Sequence, residues 1–301
     1  MKTCTFLQPA LIALSLASGL SLTGAQAVDK PAKQAFGAQK LPSDEAANII
    51  GFYSKGCLAG AKALPFNGPR WQVMRTSRNR NWGHPQLIDF IEKLSAKAAK
   101  AGWPGLLVGD MSQPRGGPML TGHASHQVGL DVDIWFSPMP EQILSYEQRE
   151  NISAISMLKQ DSLYIDPQKW SGSRTALLRL AAEDKRVERI FVHPGIKKQL
   201  CDTVQGERAW LGKVRPYWGH HYHFHVRLSC PKGTKTCRAQ APVPKGDGCD
   251  ASLAWWLSPE PWTPKKGKTP AKKPRPLMVS DLPRACGAVL EASAIKTGGD
   301  R

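Results

Sequence analysis

The chain lacks the short motifs that announce most hydrolases. Its 301 residues contain no HExxH, which excludes the helix-borne zinc peptidase site, and no GxSxG, which excludes a serine nucleophile elbow. No two cysteines stand in a CxxC pair, so a Cys-ligated zinc is not expected. No apolar run reaches the roughly 20 residues that span a bilayer. Acidic residues are scarce, 24 against 41 Lys and Arg, and the formal net charge is +17. Such a surface favours polyanionic surroundings. No nucleic-acid-reading motif accompanies the charge, so nucleic acid is not an expected partner. Internal repeats are also missing.

The N-terminus reads as an export signal. Lys2 precedes an apolar run over residues 10–22, and Ala25-Gln26-Ala27 forms a small-x-small cleavage site. A membrane anchor is the alternative, but the run is too short to span, and no stable membrane insertion is expected. The expected organisation is a signal peptide over residues 1–27, then a single domain over 28–301. Within the latter, a Pro/Lys-rich extension over about 256–277 is expected to be extended and solvated, either as a plain linker or as a wall-binding element. Much of the basic excess lies there. An exported protein of this charge meets an anionic cell-wall polymer more readily than nucleic acid.

Without Cys4, six cysteines remain: Cys57, Cys201, Cys230, Cys237, Cys249 and Cys286. An even number in an exported chain implies three disulfides. Spacing alone leaves the connectivity open, with Cys230/Cys237 the easiest bridge to credit.

Helical periodicity covers residues 86–101, with His84-Pro85 as its start, and residues 174–185. Short apolar or alternating runs at 105–109, 130–136, 188–193 and 222–228 predict strands, and residues 28–45 read as an irregular lead-in. This mixture, without strict βαβ alternation, predicts an α+β domain. In the run 130–136, Leu130, Val132 and Ile134 share one face, and Asp131 and Asp133 the other. In 222–228, Tyr222, Phe224, Val226 and Leu228 form the apolar face, opposite His221, His223, His225 and Arg227.

Six of the eight histidines fall in two clusters: His123 and His126, then His220, His221, His223 and His225. Gly129 permits a tight turn between His126 and the strand bearing Asp133. One imidazole and one carboxylate can converge there. His223 and His225, about 7 Å apart on one strand face, suit one metal ligand and one neighbour acting on a bound water. These donors favour zinc with an open position for water. Asp131 reads equally as a partner orienting a ligand histidine or as a polar strand residue. The alternative for the clusters as a whole is a set of surface histidines.

Ser125-His126 with Gly129 and Asp133, and HxH (His223 and His225), resemble the zinc peptidases grouped with lysostaphin, the D-alanyl-D-alanine metallopeptidases and the hedgehog signalling domain. The longer segments SRNRNWGHP (77–85), TGHASHQVGLDVDIW (121–135), RIFVHPGIKKQLC (189–201) and HFHVRLSCP (223–231) resemble the penicillin-insensitive murein endopeptidases. The likeness runs from about Cys57 to Cys286. It implies a periplasmic enzyme that hydrolyses the D-alanyl–meso-diaminopimelyl cross-link of peptidoglycan. It implies one Zn2+ held by His126, Asp133 and His225, with His223 as base and His220 as a further active-site residue. His123 and Asp161 match positions linked with a second metal, but Tyr164 stands where the next such position has a histidine. The implied disulfides are Cys57–Cys286, Cys201–Cys249 and Cys230–Cys237. The fold expected is a small antiparallel sheet carrying the site, flanked by helices and disulfide-stapled loops. Trp82, His84, Trp135 and Trp218 are candidate groove residues. A D,D-carboxypeptidase with the same site and a non-catalytic zinc- or wall-binding module are the competing readings, and self-association as a homodimer stays open.

Overall fold

A computed structural model describes residues 1, 29–263 and 275–295. The expected signal peptide, apart from Met1, and residues 264–274 of the Pro/Lys-rich segment lie outside the described residues.

The alternating runs pair as strands of one seven-stranded sheet. Its spatial order is Val214–Pro216, Val187–Val192, His223–Leu228, Asp131–Pro138, Leu106–Val108, Trp71–Val73 and Asn67–Gly68. The pairings around the two longest alternating strands are antiparallel, as expected. Parallel pairs flank them, Val214–Pro216 with Val187–Val192 and Trp71–Val73 with Leu106–Val108.

Both faces of the two central strands are buried, one in the apolar core and the other around a cluster of polar side chains, and this gives their apolar and polar alternation. Val132, Ile134, Phe136, Phe224 and Val226 join one core with Leu87, Phe90, Ile91 and Leu94 of the helix Pro85–Lys100 and Leu177 and Leu178 of the helix Gly172–Glu183. Each such side chain contributes about 1.5–3 kcal/mol through burial. The packing sets the register: His225 lies opposite Asp133, Arg227 opposite Asp131 and His223 opposite Trp135. A one-residue slip would turn the histidines into the core, so the hydrophobic pattern fixes the site. His84 caps the first of these helices, its Nδ1 accepting the Gln86 amide at 3.2 Å, with Pro85 in the first turn.

Three expectations need correction. The lead-in contains a helix, Ala32–Gly37, whose fully buried Phe36 packs with Ile50, Leu282 and Val289. Leu282 and Val289 come from the far end of the chain, tied by Cys57–Cys286, so no local pattern announces it. Residues 256–263 are not extended: they complete the helix Ala251–Leu257 and form a turn at Glu260–Trp262, where Trp262 Nε1 donates to the Trp256 carbonyl at 2.9 Å. Tyr222 precedes the strand and is partly exposed rather than in the core. The three disulfides pair as the resemblance implies. Among the described residues no helix is long and apolar enough to cross a membrane.

Candidate metal centre and cleft

His126 reaches the centre from a loop, not a regular element. Its φ of 67° lies in the left-handed region, where a non-glycine residue is strained. Two contacts hold it there: its amide donates to Asp131 Oδ2 at 3.1 Å, and its Nδ1 lies 2.9 Å from the Met111 carbonyl. Gly129, at φ 69°, makes the turn back into the strand, and a Cβ there would lie 2.8 Å from the His84 nitrogen.

A carbonyl only accepts, so His126 Nδ1 carries the ring proton and Nε2 is bare. That Nε2 faces Asp133 Oδ1 at 3.5 Å. His225 shows the mirror arrangement. Its Nε2 is 2.7 Å from Asp131 Oδ1, and its Nδ1 is 3.5 Å from Asp133 Oδ1. His223 Nε2 lies at the same 3.5 Å from that oxygen. Three imidazoles thus surround one carboxylate oxygen. His126 Nε2 and Asp133 Oδ1 are both buried and have no hydrogen-bond partner.

Bare nitrogens facing a buried carboxylate repel one another unless a cation lies among them. Two imidazoles and a carboxylate, with the opposite ring nitrogens already anchored, suit a divalent metal. Electrostatics agree. Burial, together with His126, pushes His225 down to about 3, against the pull of Asp131. Burial takes His223 to about 4, against the pull of Asp133. Both rings are therefore neutral near pH 7.

Asp131, fully buried, accepts from His225, from Arg227 Nε at 2.7 Å and from the His126 amide. The Arg227 guanidinium in turn lies 4.3 Å over the Tyr53 ring and 5.1 Å over Phe191. Of the two readings of Asp131, the orienting partner fits these contacts.

His123, His126 and Asp133 bring ligating atoms within 4.8 Å of one another. His123 Nε2 is, however, engaged by Asp110 Oδ2 at 2.9 Å. Asp161 is not in this group. It occupies an exposed turn at φ 49°, with Tyr164 half exposed nearby in sequence. His220, at φ 53°, is fixed by its Nδ1 at 2.7 Å from the Trp218 carbonyl, and its ring centre lies 4.9 Å from that of His223.

The cleft runs to both sides of these histidines. One arm is lined by Arg75, Arg78, Trp135, Ser153 and Tyr222, the other by Phe52, Phe191, Tyr217 and Gln240. Trp135 and Trp218 line it as expected. Trp82 and His84 do not line it: Trp82 packs on the core and donates to Asn79 Oδ1, and His84 serves as a helix cap.

Sequence reasoning missed Asp110, Arg78 and Tyr222. Asp110 gathers Arg80 Nη1 at 2.8 Å, Arg78 Nη1 at 3.0 Å and His123 on one oxygen, and despite burial these cations and His123 hold it down at about 2. Its position just past the buried run GLLVG was the available signal.

Comparison with known proteins identifies the family. Residues 49–291 match the family described as penicillin-insensitive murein endopeptidase. A protein of that name from Klebsiella pneumoniae is 45% identical over 250 residues, covering 83% of this chain and 88% of the relative. One from Haemophilus influenzae is 43% identical over 253 residues, covering 84% and 86%. The matched span contains every residue that converges on Asp133, and the chain belongs to the penicillin-insensitive murein endopeptidase family of metallopeptidases.

Proposed function

We propose that the chain is an exported, zinc-dependent endopeptidase that hydrolyses the D-alanyl–meso-diaminopimelyl amide of cross-linked peptidoglycan in the periplasm. The observation that carries this reading is the pair of unpartnered buried atoms, His126 Nε2 and Asp133 Oδ1, with His225 Nδ1 turned to the same oxygen. These three residues would hold one zinc per chain. When bound, zinc polarises the scissile carbonyl and acidifies a water to a pKa of about 7.

The protein's own groups do the rest. His223, neutral and buried beside Asp133, accepts the proton of the attacking water and passes it to the leaving amine. His220 lies beside it with the rings tilted at 49° and Nδ1 committed to the Trp218 carbonyl, so its Nε2 is the atom offered to the reacting groups. Asp131 holds the His225 ring in the tautomer that leaves Nδ1 bare. We assign His123 to shaping the cleft through Asp110 rather than to a second metal.

The two arms of the cleft favour an endopeptidase over a D,D-carboxypeptidase, because a cross-link needs room for a peptide stem on each side of the bond. Purified cross-linked muropeptide dimers separate the readings: an endopeptidase releases monomers, a carboxypeptidase releases free D-Ala, and a binding module releases neither.

A further inference from the structure

Four arginines line the cleft, and among the described residues only one has a guanidinium to spare; Arg227 is committed to Asp131 and Gln240. Arg75 directs its guanidinium to the carbonyls of Arg149, Glu150 and Ile152 and lies over the Trp135 ring. Arg80 is buried and divides its hydrogen bonds between Asp110 and Thr121. Arg78, its side chain 46% exposed, makes one side-chain hydrogen bond among the described residues, from Nη1 to Asp110 Oδ2. That oxygen already serves Arg80 and His123. The remaining donors of Arg78 face open cleft on both sides of His123 and His223.

The backbone pays attention to this placement in a measurable way. Arg78 ends a single helical turn, Thr76–Arg78, flanked by Arg75 at φ 57° and Asn79 at φ 52°. Two non-glycine residues in the left-handed region are strained, and such strain persists only where the surroundings over-determine it. Here Glu150 accepts from the Ser77 amide at 2.9 Å, from Ser77 Oγ at 2.7 Å and from Thr76 Oγ1 at 3.2 Å. Asn79 is pinned by Trp82 Nε1 at 2.8 Å. The fold thus holds a planar, permanently charged fork beside the metal centre, the geometry suited to a carboxylate.

We propose that Arg78 binds the free carboxylate on the carbon adjoining the scissile amide nitrogen, and so selects cross-links in which the diaminopimelyl carboxyl is unmodified over those in which it is amidated. This rests on the endopeptidase reading for the identity of the substrate. The Asp110–His123 link would then fix the carboxylate's distance from the reacting carbonyl.

The test compares muropeptide dimers with a free or an amidated carboxyl at that carbon, hydrolysed by zinc-loaded wild type and by Arg78→Gln. A calorimetric titration of the corresponding free and amidated monomers onto both proteins accompanies it. The wild type is expected to cleave and bind the free-acid forms preferentially. Arg78→Gln is expected to lose about 10- to 100-fold in kcat/KM on the free acid alone, with metal content unchanged and both preferences gone. Arg78→Lys should restore part of the preference. Equal handling of both forms by the wild type, or an unchanged preference in Arg78→Gln, overturns the assignment. If the wild type cleaves neither dimer, the endopeptidase reading fails, and the monomer titration alone decides the carboxylate site.

Discussion

Asp131 Oδ1 lies 2.7 Å from His225 Nε2, and this contact turns the opposite nitrogen of the same ring, Nδ1, toward Asp133 at 3.5 Å. One carboxylate fixes the imidazole, and the second faces it across the place a cation would fill. Asp131→Asn keeps the size but turns one oxygen into a donor: with Oδ1 left to the His225 ring proton and Arg227 Nε, the amide NH2 meets the His126 N–H, donor against donor. We predict a 10- to 100-fold loss of zinc affinity in this variant, read by competition with a chromophoric chelator. Unchanged affinity would reduce Asp131 to a structural partner of Arg227.

Removing the proposed ligands should differ from removing the proposed base. His126→Ala, Asp133→Ala and His225→Ala are each expected to lose both zinc retention and activity. His223→Ala should keep stoichiometric zinc and lose activity by about 100-fold or more. Metal analysis after gel filtration checks this, and an equal fall in zinc across all four variants would erase the distinction.

Much of this arrangement is legible in the sequence because it depends on period-two alternation. Val132/Ile134 and Phe224/Val226 enter the core, which leaves Asp131, Asp133, His223 and His225 on the other face in a register that pairs His225 with Asp133. Contacts between distant segments were not legible. Phe36 meets Leu282 and Val289 some 250 residues away in the chain, and Asp110 acquires its role only when Arg78, Arg80 and His123 converge on it. The helix Pro194–Thr203 also escaped notice, since its buried face includes a lysine, Lys197.

That lysine gives a pH signature. Lys197 is fully buried, and its Nζ donates to the Leu211 carbonyl at 2.7 Å and to the Asp247 carbonyl. Burial, and then Arg215, lower it to about 7, while an unfolded lysine titrates near ~10.4. Between these values the unfolded chain binds more protons than the folded one, so this group's contribution makes stability rise with pH, by at most about 1.4 kcal/mol per unit. Urea unfolding of wild type and Lys197→Met at pH 7, 8 and 9 should show the wild type gaining on the variant as pH increases. A pH-independent difference would contradict the lowered value.

Penicillins should not inhibit. Ser54, Ser125 and Ser153 line the cleft, yet none is hydrogen-bonded to a histidine that could activate it. Incubation with a fluorescent penicillin should leave the protein unlabelled and its activity unchanged, and covalent labelling at a cleft serine would refute a water-based mechanism.

The most direct test of the central claim is digestion of purified peptidoglycan by the mature protein, with and without a chelator, followed by muropeptide chromatography. The account predicts that cross-linked dimers disappear as monomers accumulate, that chelation stops this, and that added zinc restores it. Dimers left intact by a zinc-loaded, folded protein would contradict it.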